Sequence, residues 1–177
     1  MAKNLFKSST SSKLYITFFL VLMIYAFHVS CMNFYERTKF SPVKVLRHYS
    51  GNVEESSDES RYEYDRNLMQ EGFIFPKTKR EIIEITHAHA FAIPLIIFVM
   101  SRIFSMASIR EGFKTAIYIA AFIGTVMNLT GPWLIRFKSD VFTLSLISSY
   151  FILGFCFLFF IFLPLYEMWF KSKDSNL

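Results

Sequence analysis

The chain has 177 residues, of which 53% are hydrophobic and 22 are phenylalanine, and it carries a formal net charge of +5 at pH 7. Four apolar runs each approach or exceed the roughly 20 residues that cross a bilayer as a helix, which excludes a soluble domain. The basic residues flank these runs and are not interleaved with aromatic residues, which excludes nucleic acid as a partner.

The first apolar run, residues 14–32, follows a basic start with lysines at positions 3, 7 and 13. A basic start before an apolar stretch is also typical of a secretory signal, but a cleavage site needs small residues before the cut. His28-Val29-Ser30 stands in that place, ahead of Cys31. We therefore expect an uncleaved membrane anchor, and cleavage is the alternative.

A loop, residues 33–80, separates the first two apolar runs and contains one clear helix start. Ser41 is a favourable cap and Pro42 a favourable first residue, which predicts a short helix over residues 42–49. Its apolar face predicts that it lies on the membrane surface, and that face carries Val43, Leu46 and Tyr49. Further along the loop we expect a flexible acidic segment and another short helix, at residues 54–59 and 62–72.

Three further apolar runs follow, at residues 82–107, 113–135 and 141–169. Thr78 with Glu81 forms a capping box, which predicts that the second long helix begins there. The four runs together predict an all-α fold, an integral membrane four-helix bundle. It forms a single membrane domain, residues 1–177, with an extracytoplasmic loop between helices 1 and 2. The basic start predicts that both termini are cytoplasmic.

Ionisable side chains lie inside two of these runs, and such residues in a membrane span indicate a functional site. His87 and His89 lie near the head of the second run, and His28 reaches a similar depth in the first. Residues two apart point in nearly opposite directions on a helix. Small and polar residues share the face of His87, which favours the bundle interior for His87 and an interface for His89. At a similar depth the third run carries Asn128, Thr130 and Gly131, and the fourth carries Thr143, Ser145, Ser148 and Ser149. Asn128 shares a face of small residues with Ala121, Gly124, Thr125 and Gly131, and one stripe of the last helix carries Ser145, Ser148, Ile152 and Cys156.

Four interpretations of these polar residues remain open. In the structural one, the histidines hydrogen-bond between helices. In the redox one, two imidazoles ligate haem b, with His28 and His87 or His89 as the axial pair. In the third, soft and borderline ligands hold copper. In the fourth, Glu84 and His87 form a proton or ion path. The cofactor-binding candidates are His28, His87, His89, Asn128 and Arg136, and the metal-ligand candidates are His28, His87 and His89.

Motifs of soluble hydrolases are missing from the sequence. Neither G-x-S-x-G nor H-E-x-x-H occurs, and the glycines form no phosphate-binding loop. Cys31 and Cys156 belong to no C-x-x-C pattern, and we expect them to pack as small hydrophobic residues. We assign no catalytic residue and expect no enzymatic activity from the chain on its own.

Several short motifs resemble those of a known family. They are Arg37-Thr38-Lys39-Phe40-Ser41-Pro42, Arg47-His48-Tyr49-Ser50-Gly51, Phe75-Pro76-Lys77, Glu84-Ile85-Thr86-His87-Ala88-His89-Ala90-Phe91 and Gly131-Pro132-Trp133-Leu134. Through them, and the H-x-H-x-F motif above all, the chain resembles small bacterial four-span membrane proteins without an assigned function. It is also loosely similar to membrane b-type cytochromes, but it lacks the two well-spaced histidine pairs of a two-haem arrangement. The resemblance implies the bacterial inner membrane.

These features together predict a small accessory or structural subunit of a bacterial membrane complex. A polar, histidine-containing site lies near the loop-side face of the membrane in this interpretation. The alternative is an electron-transfer subunit that binds haem b or copper. The expected partners are the lipid bilayer and other membrane or periplasmic protein subunits.

Overall fold

The computed structural model describes Leu5, residues 8–52 and residues 74–171. Within these residues the chain is helical and contains no strand. The helices are α1 (Thr10–Thr38), α2 (Pro42–Ser50), α3 (Lys79–Ser105), α4 (Glu111–Phe137) and α5 (Phe142–Trp169). All except α2 are long and apolar enough to cross a membrane. The predicted all-α four-helix membrane bundle is therefore confirmed.

The first helix is longer than the apolar run that predicted it, since α1 ends at Thr38 and not at residue 32. The predicted capping box is present at the start of α3. The backbone N–H of Glu81 donates to the Thr78 hydroxyl, and the backbone N–H of Thr78 donates to the Glu81 carboxylate. The predicted acidic segment and the short helix over residues 62–72 lie outside the described residues.

Helix α2 forms where the sequence predicted it, but it presents a different face. It begins at Pro42 and ends at Ser50, with Gly51 as its C-terminal cap at φ 77°. Val45 and Tyr49 are buried against the bundle, whereas Val43 is 57% exposed. The loop-side ends of α4 and α5 offer α2 an apolar surface, formed by Ile135, Leu146 and Ile147, and its position at the membrane surface stays a prediction.

The closest helix pair is α4 with α5, and two glycines of α4 allow their approach. A Cβ atom at Gly131 would lie 2.9 Å from Cδ1 of Leu146, and one at Gly124 would lie 3.0 Å from Cγ2 of Ile152. The predicted small-residue face of α4 is thereby confirmed, because Ala121, Gly124, Thr125, Asn128 and Gly131 are all buried. Of the stripe predicted on α5, Cys156 is buried and Ser145 and Ile152 are half-buried, but Ser148 is exposed and its neighbour Ser149 is buried.

The helices α1 and α3 lie at the outside of this pair. In the most apolar stretch of each, 6% of the residues are buried, against 33% in α4 and 39% in α5. Helix α3 packs on α4 and α5, and α1 packs on α2 and α5. Within the described residues α1 and α3 make no extended contact with each other, so a gap opens between them.

Polar contacts close the end of the bundle opposite the loop. The Lys13 ammonium donates to the Met168 carbonyl at 2.7 Å, and Nε1 of Trp169 donates to the Thr17 hydroxyl at 3.0 Å. The buried Lys114 donates to the Ser105 carbonyl at 3.0 Å. These contacts join α1 to α5 and α3 to α4 at the same end, so the helix ends there are fixed by charged and indole side chains.

Candidate functional site

A cavity of about 220 Å³ fills the gap between α1 and α3. Its walls come from all four long helices and are mostly apolar. Polar and aromatic side chains converge on its loop-side end, namely Ser30, His89, Asn128 and Tyr150. Cavities of this kind, largely apolar with a few convergent polar groups, are the usual form of small-molecule sites.

His89 presents its imidazole to this cavity in a defined tautomer. Its Nδ1 atom lies 2.8 Å from the Ile85 carbonyl, one turn earlier on α3. A carbonyl can only accept, so Nδ1 carries the hydrogen and donates it. The neutral ring then has a free lone pair on Nε2. Metal-ligating histidines are commonly oriented in this way by a carbonyl bonded to their other ring nitrogen.

Asn128 forms the opposite wall and is held in place from α5. It is 8% exposed, and its Nδ2 donates to the Ser149 hydroxyl at 3.1 Å. Ser149 in turn donates to the Leu146 carbonyl at 2.6 Å. This chain of hydrogen bonds ties the amide of Asn128 to α5 through Ser149.

A second, smaller cavity of about 30 Å³ lies on the loop side of the first. His89, Asn128 and Tyr150 line both cavities. Tyr49 of α2 and Thr86 border the smaller one, and Nε1 of Trp133 donates to the Thr86 hydroxyl at 2.8 Å. A cavity of this size is large enough for one water molecule, and its polar lining suits one.

The other two histidines of the spans do not meet at this cavity. His87 is exposed and lies nearly opposite His89 on α3, with its ring 5.2 Å from that of Phe91. His28 is exposed on α1, and neither histidine lines either cavity. His87, which had been expected in the bundle interior, therefore does not face the cavity. His89 lines both cavities although it too is exposed, and it shares the face of α3 that carries the buried Ile82 and Met100.

Arg136 lies beyond the cavities, at the loop-side end of α4. Its Nε donates to the Lys77 carbonyl at 3.0 Å, and Ser50 donates to the neighbouring Ile135 carbonyl at 3.4 Å. Burial and the nearby charges of Lys77 and Arg37 lower the pKa of His48 here to about 4. Burial raises the pKa of Tyr49 to about 12. This loop-side cluster joins α2 to the bundle, and Arg136 lines neither cavity.

The described part of the chain contains no group of three or more His, Cys, Asp or Glu side chains that could hold a metal ion. The predicted ligand set of His28, His87 and His89 is therefore not brought together. The structure instead brings together the imidazole of His89, the amide of Asn128 and the phenol of Tyr150. Sequence reasoning did not find Tyr150, although it directly follows the polar pair Ser148-Ser149.

Comparison with known proteins adds a family. No curated protein and no solved structure matches the chain. A family model described as a transmembrane helical domain, Aq_1264_TM, matches residues 39–175, which include α2 to α5 and exclude α1. With its four membrane-capable helices the protein is a multi-pass membrane protein. The chain therefore belongs to the Aq_1264_TM family of transmembrane helical domains.

Proposed function

We propose that this protein is a small accessory subunit of a larger membrane complex. The observation that supports this role is the exposure of His28 and His87 on the outer faces of α1 and α3. His87 lies five residues from the midpoint of α3, or about 7.5 Å along its axis. With that midpoint at the bilayer centre, this imidazole lies within the hydrocarbon core, which extends about 15 Å from its centre.

A polar side chain at that depth is costly when it faces lipid tails. The exposed Phe91 lies one turn from His87 with its ring 5.2 Å from the imidazole, and it offers His87 no hydrogen bond. A hydrogen-bonding partner supplied by another membrane protein would remove this cost. Two such positions on different helices are consistent with a protein that is bordered by other subunits.

A photo-crosslinking amino acid at position 28 or 87, in intact cells, tests this role. We expect crosslinks to protein at both positions. At Leu95 and Phe162, exposed apolar positions on α3 and α5, we expect crosslinks to lipid. Lipid adducts alone at positions 28 and 87 would contradict the subunit role.

The second part of the proposal is a polar site at His89, near the loop-side face. It is supported by the convergence of His89, Asn128 and Tyr150 on one cavity. Of the predicted cofactor-binding residues, His89 and Asn128 line this site. Arg136 does not line it and instead contributes to the docking of the loop. We propose a binding role for this site and no catalytic one, since the cavity holds neither a carboxylate nor a paired nucleophile and base.

Haem b or copper binding is the alternative function, and one observation favours it. The free Nε2 of His89 has the orientation of a metal ligand, with Nδ1 bonded to the Ile85 carbonyl. A dithionite-reduced minus oxidised absorption spectrum of the purified protein tests for haem, and elemental analysis tests for copper. Loss of the cofactor in His89→Ala, with retention in His87→Ala, would establish this function; retention in both would exclude His89 as the ligand.

We also propose that the protein lies in the bacterial inner membrane with both termini cytoplasmic. The lysines at positions 3, 7 and 13 support this orientation through the positive-inside rule. A reporter that folds only outside the cytoplasm, inserted after Asn52, should be active. A second reporter, active only inside the cytoplasm and fused to the C-terminus, should also be active. If both reporters are inactive, the termini lie outside the cytoplasm and the orientation is the reverse of the one proposed.

A further inference from the structure

We infer that the cavity between α1 and α3 binds the ring of a lipid-soluble hydroquinone, whose hydroxyl donates to Nε2 of His89. This inference rests on the polar site proposed above and is independent of the subunit role. It names the ligand class from three properties of the cavity: its volume, its opening and its polarity.

The volume of the cavity fits one substituted six-membered ring. An apolar cavity of about 150 Å³ accommodates benzene. The cavity here measures about 220 Å³, which leaves room for a few ring substituents. A porphyrin contains four pyrrole rings in one macrocycle and would require α1 and α3 to move apart. With α1 and α3 in their present positions, the cavity therefore fits a single ring better than haem.

The opening of the cavity lies between the apolar stretches of α1 and α3, two helices that are long and apolar enough to cross a membrane. Small alanine side chains border it on both helices, Ala26 on α1 and Ala92 on α3, and both are exposed. Behind the opening, the ring of Phe27 stacks on that of Phe157 at 4.8 Å. A ring with an apolar tail could thus enter laterally and lie against aromatic side chains, while its tail remained among the lipid chains.

The polarity of the inner wall selects the reduced form of such a ring. His89 offers a lone pair on Nε2, because Nδ1 already donates to the Ile85 carbonyl. A hydroquinone hydroxyl can donate to that lone pair, whereas a quinone carbonyl only accepts. A quinone would therefore place one acceptor against another at this position. One hydrogen bond of this kind changes affinity by about 3- to 10-fold.

The experiment measures binding to the full chain in lipid nanodiscs under anaerobic conditions. The probes are decylubiquinol, decylubiquinone and the dimethyl ether of decylubiquinol, which has the same ring and tail without a hydroxyl. The chain contains two tryptophans, so Trp169→Phe leaves Trp133, beside the smaller cavity, as the fluorescent reporter of binding. We expect decylubiquinol to bind about 3- to 10-fold more tightly than either of the other two probes.

Four variants separate the site from non-specific partitioning. His89→Ala should abolish the preference for decylubiquinol, whereas His87→Ala, on the opposite face of α3, should retain it. Ala92→Phe should fill the cavity and abolish saturable binding, whereas Ala90→Phe, outside the cavity lining, should not.

Equal affinity for decylubiquinol and its dimethyl ether, or saturable binding retained in Ala92→Phe, would overturn the inference. Haem that copurifies with the wild type but not with His89→Ala would overturn the ligand class while leaving the polar site in place. Neither result bears on the crosslinks at positions 28 and 87, so failure of the subunit role is detected separately.

Discussion

The carboxylate of Glu167 accepts two hydrogen bonds from Ser108, one from its backbone N–H at 2.5 Å and one from its hydroxyl at 2.9 Å. Ser108 lies in the turn between α3 and α4, and Glu167 is 4% exposed near the end of α5. One side chain of the last helix therefore fixes the connection between two others. Charge-assisted bonds of this kind are stronger than neutral ones.

Removal of this contact should destabilise the bundle. Glu167→Ala leaves the Ser108 N–H without its carboxylate partner, at a cost of about 1.5–3 kcal/mol. Thermal unfolding of the purified protein in detergent measures the effect. Glu36→Ala is the matched control, because the exposed pair of Glu36 with Lys39 contributes about 0–1 kcal/mol. Equal melting temperatures for the two variants would contradict the structural role of Glu167.

Gly131 should not tolerate a side chain, because its Cβ would lie 2.9 Å from Cδ1 and 3.1 Å from Cβ of Leu146. We expect Gly131→Ala to destabilise the protein by about 1–3 kcal/mol through overpacking. Gly112→Ala should be neutral or slightly stabilising, since nothing lies within 4 Å of its Cβ position. Leu146→Ala should cost less in the Gly131→Ala background than in the wild type, because it relieves the overpacking there, and thermal unfolding measures all of these variants.

The docking of α2 should weaken in acid because of His48. Its pKa is lowered from the ordinary 6.5 to about 4 by burial and by Lys77 and Arg37, and its ring lies 4.9 Å from that of Tyr49. Between these values the unfolded chain binds the extra proton, so stability falls as the pH decreases. The contribution of neutral His48 is complete above about pH 6.5 and decreases as the pH falls to about 4.

His48→Gln should flatten this dependence, since glutamine does not titrate. Hydrogen exchange of the α2 amides at about pH 7 and about pH 4.5, corrected for intrinsic exchange rates, measures it. His87→Gln, whose side chain lies on the exposed face of α3, should behave as the wild type. The same acid-induced loss of α2 protection in His48→Gln and in the wild type would contradict this assignment.

Asn52 and Ile74 bind each other where the described chain resumes before α3. The Asn52 backbone N–H donates to the Ile74 carbonyl at 2.9 Å, and the Ile74 backbone N–H donates to Oδ1 of Asn52 at 2.8 Å. Asn52→Ala removes the second of these bonds and should lower the free energy of unfolding by about 0.5–1.5 kcal/mol. Thermal unfolding measures the effect, and an unchanged melting temperature would contradict the prediction.

Helices and caps were predictable because their signals are local. The capping box of Thr78 with Glu81 and the start of α2 at Ser41-Pro42 depend on residues next to each other in the chain. The small-residue face of α4 was also readable, since its glycines and alanine repeat at helical spacing. These features need no knowledge of which helix lies beside which.

The rotation of α3 was not predictable from its own sequence. Small polar residues were expected to turn inward with His87, but Ser101 donates to the Ile97 carbonyl and Ser105 to that of Arg102. Their hydroxyls are satisfied within their own helix and therefore exert no inward preference. The contact of Glu167 with Ser108 was hidden for a different reason, because it joins positions far apart in the chain.

Helix α1 is tied to α5 near both of its ends. Lys13 and Thr17 hydrogen-bond to α5 at one end, and the Phe34 ring stacks on that of Tyr150 at 4.1 Å at the other. A helix of 29 residues is about 44 Å long, and its middle is held by apolar contacts, the buried Leu20 and the stack of Phe27 on Phe157, so outward bowing there would break no hydrogen bond to α5. The width of the lateral opening is then governed by the bending stiffness of one helix and by the pressure of the lipids against it. Membrane thickness and acyl-chain order should therefore regulate access to His89 as directly as any substitution in the protein.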